Sequence, residues 1–221
     1  MKYSIEGDLA QLARICLNRG ETCWSSKGSI LTLEPKIRWS LKIPGGAGGA
    51  VRRALSGEGI GLTYIESRED GSEVLLASNR PGKVMDWSLE NGPVVTTRGS
   101  FLAAFGPHVD INVTVARRAG AAFFGGAGLF LQRISGHGTA LIHGAGDFID
   151  RYLEAGETIL VSTGNLAAFD SRINYTIQGV GGLGKIFFSG EGLFMTKLEG
   201  PGRVLLQSLK RGSVAQTSSA G

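Results

Sequence analysis

Two cysteines, three histidines and three methionines among 221 residues leave little material for sulfur or imidazole chemistry. Cys16 and Cys23 are too few for a disulfide-dense scaffold and are not spaced as a zinc site, so the default setting is a reduced one. No apolar run approaches the roughly 18 residues of a membrane-spanning helix, and Met1 to Asp8 carries no apolar core of a secretion signal. These absences predict a soluble cytoplasmic protein without a targeting segment. Lysine and arginine total 23 against 19 acidic residues, a net charge of +4. That excess leans toward anionic partners without amounting to a dedicated nucleic-acid binder.

Glycine, by contrast, is abundant at 35 residues, about twice its usual share of roughly 7%. It is neither periodic as in collagen nor confined to linkers. Ser189-Gly190-Glu191-Gly192-Leu193-Phe194 recurs as Gly125-Gly126-Ala127-Gly128-Leu129-Phe130 and, more loosely, as Ser56-Gly57-Glu58-Gly59-Ile60-Gly61. The intervals from Gly28 to Gly57, Gly99 to Gly126 and Gly164 to Gly190 are nearly equal. A unit of about 65 to 71 residues exceeds a solenoid repeat, so the spacing predicts three β-modules, about 3–78, 82–144 and 146–209, in a single all-β domain spanning 1–210. The polar residues 211–221 read as a flexible tail.

Within each unit the pattern is that of strands divided by turns. Gln11 to Leu17 alternates partly, and Asn18-Arg19-Gly20 predicts a hairpin into Glu21 to Ser26. Lys36 to Ile43 alternates strictly, placing Lys36, Arg38, Ser40 and Lys42 on one face and Ile37, Trp39, Leu41 and Ile43 on an opposite, core-directed face. Ile60 to Glu66 and Glu73 to Ala77 predict another hairpin, as does Asn91-Gly92. A short helix is expected before each glycine signature, ending in the apolar pairs Ala54-Leu55, Phe123-Phe124 and Phe187-Phe188, which read as core plugs.

With these motifs the chain resembles the mitochondrial-biogenesis family named for altered inheritance of mitochondria. The resemblance runs from residue 3 to 210 and rests on Arg52-Arg53-Ala54-Leu55-Ser56-Gly57-Glu58-Gly59, on Phe123 to Phe130 and on the signature at Ser189. It implies a sandwich or jelly-roll-like body similar to the tryptophan RNA-binding attenuation protein (TRAP-like), and fungal relatives are associated with the organisation of the mitochondrial inner membrane. It implies no reaction and no catalytic residues.

Candidate sites are few. Gly179 to Gly184 fits a dinucleotide fingerprint and Gly179 to Lys185 opens like a phosphate loop. However, no full helix follows, and Ile186 stands where the loop needs Ser or Thr, so the stretch reads as a connector. His108, His137 and His143 lack metal-ligand spacing, with His137 expected at a turn tip. Glu58 and Glu191 match in the signatures and Glu66 and Glu199 beyond them, but Ala127 and Ser135 break the threefold set, so Gly57, Gly59, Gly126, Gly128, Gly190 and Gly192 are read as structural. Lys36, Arg38, Lys42, Arg52 and Arg53 occur without an acid between Pro35 and Gly57. They form either an ordinary solvated face or an anion site for RNA or anionic lipid headgroups. The leading expectation is a non-catalytic scaffold or binding protein that forms a homo-oligomer, with a protein partner and no cofactor or metal. An anion-binding module is the alternative and a metal-dependent jelly-roll enzyme the third reading.

Overall fold

The computed structural model describes residues 1–44, 61–97, 99–116, 129–179 and 194–211, and these are overwhelmingly extended. The first third of the chain forms β1 (Lys2–Glu6), β2 (Leu12–Leu17), β3 (Thr22–Ser25), β4 (Ile30–Leu33), β5 (Ile37–Lys42), β6 (Leu62–Ser67) and β7 (Ser72–Ala77). The middle forms β8 (Gly82–Ser88), β9 (Val94–Thr97) and two long strands, β10 (Phe101–Ala116) and β11 (Leu129–Ala145). The last third forms β12 (Phe148–Leu153), β13 (Thr158–Ser162), β14 (Leu166–Asp170), β15 (Asn174–Gly179), β16 (Phe194–Glu199) and β17 (Gly202–Gln207). Short 3-10 turns at Leu89–Asn91 and Thr163–Asn165 are the only helical segments among the described residues. The short helices expected before the signatures fall at 45–60, 117–128 and 180–193, outside the described residues. So do Arg52, Arg53, the six signature glycines and the three apolar pairs.

The alternation read from sequence locates most strands, but not their partners. β2 and β3 do not form a hairpin at Gly20: β2 pairs with β7, and β3 pairs with β6. Likewise β6 and β7 do not pair across Ser67 to Ser72, and β8 and β9, flanking Asn91-Gly92, both pair with β11. The first two turns are corners where the chain leaves one sheet for another, whereas Asn91-Gly92 carries it from one stretch of β11 to the next within the same sheet. Local turn chemistry specifies the change of direction, whereas the partner is chosen by which faces must be buried. β1, unforeseen in the sequence, adds antiparallel to β2.

Among the described residues three sheets result, all antiparallel: β1-β2-β7-β4, the ten-stranded β12-β17-β14-β9-β11-β10-β3-β6-β5 with β8 on β11, and β13-β16-β15. Their core falls into three apolar clusters. The first joins Ile15, Leu17, Val74 and Leu76 to Ile65, Leu102 and Phe105. The second gathers Trp87, Phe101, Ile134, Ile142, Ala168 and Leu205, and the third Val95, Leu131, Val161, Phe169 and Leu198. Where a strand is covered on one face it alternates, as β2 does. β14 is covered on both, and all five of its residues are buried. The polar Thr97 beside it is tolerated because its hydroxyl donates to the Leu166 carbonyl at 2.9 Å.

β10 and β11 bend together from one layer to the next, with a register shift between Phe105 and His108. Glycine is required at the bend: a Cβ on Gly106 would lie 2.3 Å from the His137 carbonyl oxygen and 2.6 Å from the Gly138 Cα. A strip of parallel bridges then links the three thirds. Gly82 N donates to Leu9 O at 2.8 Å and Gly82 O accepts from Gln11 N at 2.9 Å, while Gly146 N donates to Pro81 O and Lys83 N to Gly146 O, both at 3.1 Å. Successive residues of an extended chain aim their N–H and C=O groups to opposite sides. Ala10 and Gly146 therefore flank Gly82 on opposite sides, and the strip runs in one direction. Leu209 N continues it by donating to Ala145 O at 3.1 Å.

Candidate functional site: the basic edge at β5

Among the described residues β5 is the last strand of the ten-stranded sheet, bonded only to β6 in the register Arg38↔Glu66, Trp39↔Ile65, Ser40↔Tyr64 and Lys42↔Leu62. Its two faces are those expected, but their burial is not. Ile37 is buried, whereas Arg38 through Lys42 are all exposed, with Trp39 at 56%. Leu41 and Ile43 on the Trp39 face are exposed too. The expectation that Trp39 belongs to the core is thus corrected. The β1-β2-β7-β4 sheet packs over Ile65, Cys23 and Ile37, and the rest of β5 projects beyond that cluster. Strand periodicity reports the face, and coverage depends on how far the opposing layer reaches.

The opposite face carries the positive side chains and also an aromatic pair that sequence reasoning missed. Tyr64 on β6 stands opposite Ser40 on one side and Trp24 of β3 on the other, which puts all three on one face. The rings of Trp24 and Tyr64 meet edge to face at 4.9 Å between centroids. Lys42 Nζ lies 3.4 Å from the Tyr64 ring centroid, a cation–π contact. A groove of about 390 Å³ over this face is lined by Arg38, Ser40, Lys42, Tyr64 and Glu66, together with Trp39. A second hollow of about 260 Å³ shares Tyr64 and adds Thr22, Trp24 and His108. The missed signal was alternation in the partner strands, Thr22/Trp24 against Cys23 and Tyr64/Glu66 against Ile65.

The remaining predicted residues separate from this surface or lie beyond the description. Lys36 precedes β5 and pairs with Glu69, which raises its pKa through the hydrogen bond and the carboxylate charge. The Arg38 side chain makes no hydrogen bond or ion pair among the described residues. Arg52 and Arg53, the other two members of the basic set, fall within 45–60. Burial pushes the Cys23 thiol up to about 12, so this cysteine is no nucleophile.

The histidines have separate fates. His137 sits within β11, not at a turn tip, and faces His108 across the ladder, with its Nδ1 3.0 Å from Glu90 Oε2. Among the described residues, no three His, Cys, Asp or Glu side chains converge as metal ligands. His143 is buried, and Arg211 donates to its Nδ1 at 2.6 Å and to its carbonyl at 2.9 Å. Burial and the Arg211 charge lower the His143 pKa to about 4, keeping the ring neutral as an acceptor. Arg211, assigned by composition to the tail, is also held by Gln207 Oε1 and the Gly164 carbonyl, both at 2.9 Å. Residues 212–221 lie outside the described residues.

Comparison with known proteins places the chain in a family. The family model for mitochondrial biogenesis AIM24 matches residues 3–209. The chain belongs to the AIM24 family. Its fold is similar to that in an X-ray crystal structure of a Streptococcus pyogenes protein, at TM-score 0.78 and 25% identity over 95% of this chain and 94% of that one. No curated protein matches the chain. Among the described residues of this AIM24-family chain, no helix is long and apolar enough to cross a membrane.

Proposed function

We propose that this AIM24-family protein is a non-catalytic binding or scaffold protein, and that β5 with its neighbours β3 and β6 is its binding surface. The observation that carries this reading is the exposure of both faces of one edge strand. Trp39, Leu41 and Ile43 stand out on one side, and Arg38, Ser40 and Lys42 on the other beside Tyr64 and Trp24. Apolar side chains grouped on an exposed edge are a liability unless a partner covers them.

The same group favours the anion-binding alternative in its membrane form over its RNA form. Trp39, Leu41 and Ile43 suit the acyl boundary of a bilayer, while Arg38 and Lys42 suit its anionic headgroups. The test is sedimentation with vesicles of phosphatidylcholine alone or with added phosphatidylserine, alongside a single-stranded RNA of mixed sequence. The expected result is binding to the anionic vesicles that weakens at high salt and falls about tenfold in Trp39→Ser and in Arg38→Glu. Equal binding by both variants overturns the β5 assignment, and preference for the RNA overturns the membrane form.

We further propose that the chain is a single domain, about 1–210, of three repeated TRAP-like modules that assemble as a homo-oligomer. Support for the repeat comes from the pairings. β2–β7, β8–β11 and β12–β17 correspond, as do β3–β6, β9–β11 and β13–β16. A register shift also recurs at the same step, between Ile30 and Thr32, Phe101 and Ala103, and Leu166 and Ala168.

A further inference from the structure

Among the described residues, the internal pairings leave two strands, each at the edge of its sheet, without the partner that their counterparts have. Inside the molecule, the strand opening the second pair of each unit joins the preceding unit. β10 pairs with β3 as Ala103↔Ser25, Ala104↔Trp24 and Phe105↔Cys23, and β14 pairs with β9 as Ala168↔Thr96, Phe169↔Val95 and Asp170↔Val94. The shared register shift aligns Thr32 with Ala103 and Ala168, so β4 is the third strand of this kind. The pairing of β13 with β16 likewise aligns Val161 with Ser25 and Thr96, so β13 is the third strand of the other kind. β4 and β13 are both sheet edges among the described residues, with no pairing to each other.

Exposure marks the same two places. Leu31 is 56% exposed, whereas its counterparts Leu102 and Ala167 are at 1% and 0%. Leu160 is 58% exposed, whereas its counterpart Val95 is at 9%. Each end carries half of a six-stranded arrangement that is complete inside the molecule.

We infer that a second copy of this chain completes it. β4 of one copy pairs antiparallel with β13 of the next, in the register Thr32↔Val161, Leu33↔Leu160 and Glu34↔Ile159, and Leu31 is covered by the incoming layer. The contact is head-to-tail, between two different edges, so it builds a closed ring or an open filament and not an isologous dimer. Ser208 and Leu209 already fill the next place on the parallel strip, which confines the contact to the sheet edge. This inference rests on the repeat and homo-oligomer readings proposed above.

The test mixes two chains in a Cys16→Ser background that keeps only the buried Cys23, one with Leu33→Cys added and the other with Leu160→Cys, with mass followed by light scattering before and after oxidation. A disulfide between the two variants, and none within either variant alone, is the expected result. Multiples of 23.2 kDa are expected for the unmodified chain, lost on Leu160→Lys with the far-ultraviolet spectrum unchanged. Self-association without the mixed disulfide overturns the β4–β13 contact while leaving the homo-oligomer reading intact. A chain that remains a monomer at high micromolar concentration overturns both. Disulfides within each variant alone point to like edges meeting and also overturn the contact.

Discussion

Leu102 and Leu31 occupy matching steps of strands with the same register shift, yet one is fully buried and the other more than half exposed. Around Leu102 in β10, the β1-β2-β7-β4 sheet packs from one side and β3 pairs along the edge. Around Leu31 in β4, neither a layer nor an edge partner is present among the described residues. The same residue type thus contributes to the core or projects outward according to its place in the array. Burial at such a step is set by the neighbours the rest of the chain supplies, not by the residue type or the local strand pattern.

This contrast has graded consequences. Leu102→Ala is expected to destabilise the monomer by about 2–5 kcal/mol, the usual range for a buried leucine, whereas Leu31→Ala should shift it by less than about 0.5 kcal/mol. Denaturant unfolding of dilute protein measures both, and equal losses would break the contrast. A smaller effect comes from His143. Its folded pKa, about 4, lies below the ordinary value of 6.5, so the unfolded chain binds the proton more readily. Stability is complete above about pH 6.5 and is lost as pH falls toward 4, by on the order of 2 kcal/mol between pH 7 and pH 5. His143→Gln should flatten that window in the unfolding midpoint. At the exposed end of the scale, Lys36→Ala removes the pair with Glu69 and should leave the midpoint unchanged within error, because both side chains are largely in water.

Sequence alone revealed the strands and their faces more fully than their partners. Lys36 to Ile43 was legible as an alternating strand because a two-residue period is a local property. The exposure of Trp39 was not, because it depends on how far a layer built from β2 and β7 extends. Gly20 was legible as a turn but not as a corner between sheets, and Asn91-Gly92 as a turn but not as a step along β11, since turn residues do not encode which strand waits beyond them. Tyr64 and Trp24 joined the basic face only through pairing across β3, β6 and β5, from positions far apart in the chain. His143 and Arg211, 68 residues apart, gave no sequence signal of their contact.

The most direct measurement of the central contrast is amide hydrogen exchange on the protein diluted to a monomer. The account predicts rapid exchange for the amides of β4 and β13 that face away from β7 and β16, and slow exchange throughout β9 and β14. Equal protection of β4 and β13 in that monomer would mean that the array closes on itself, contradicting the open ends on which the account depends.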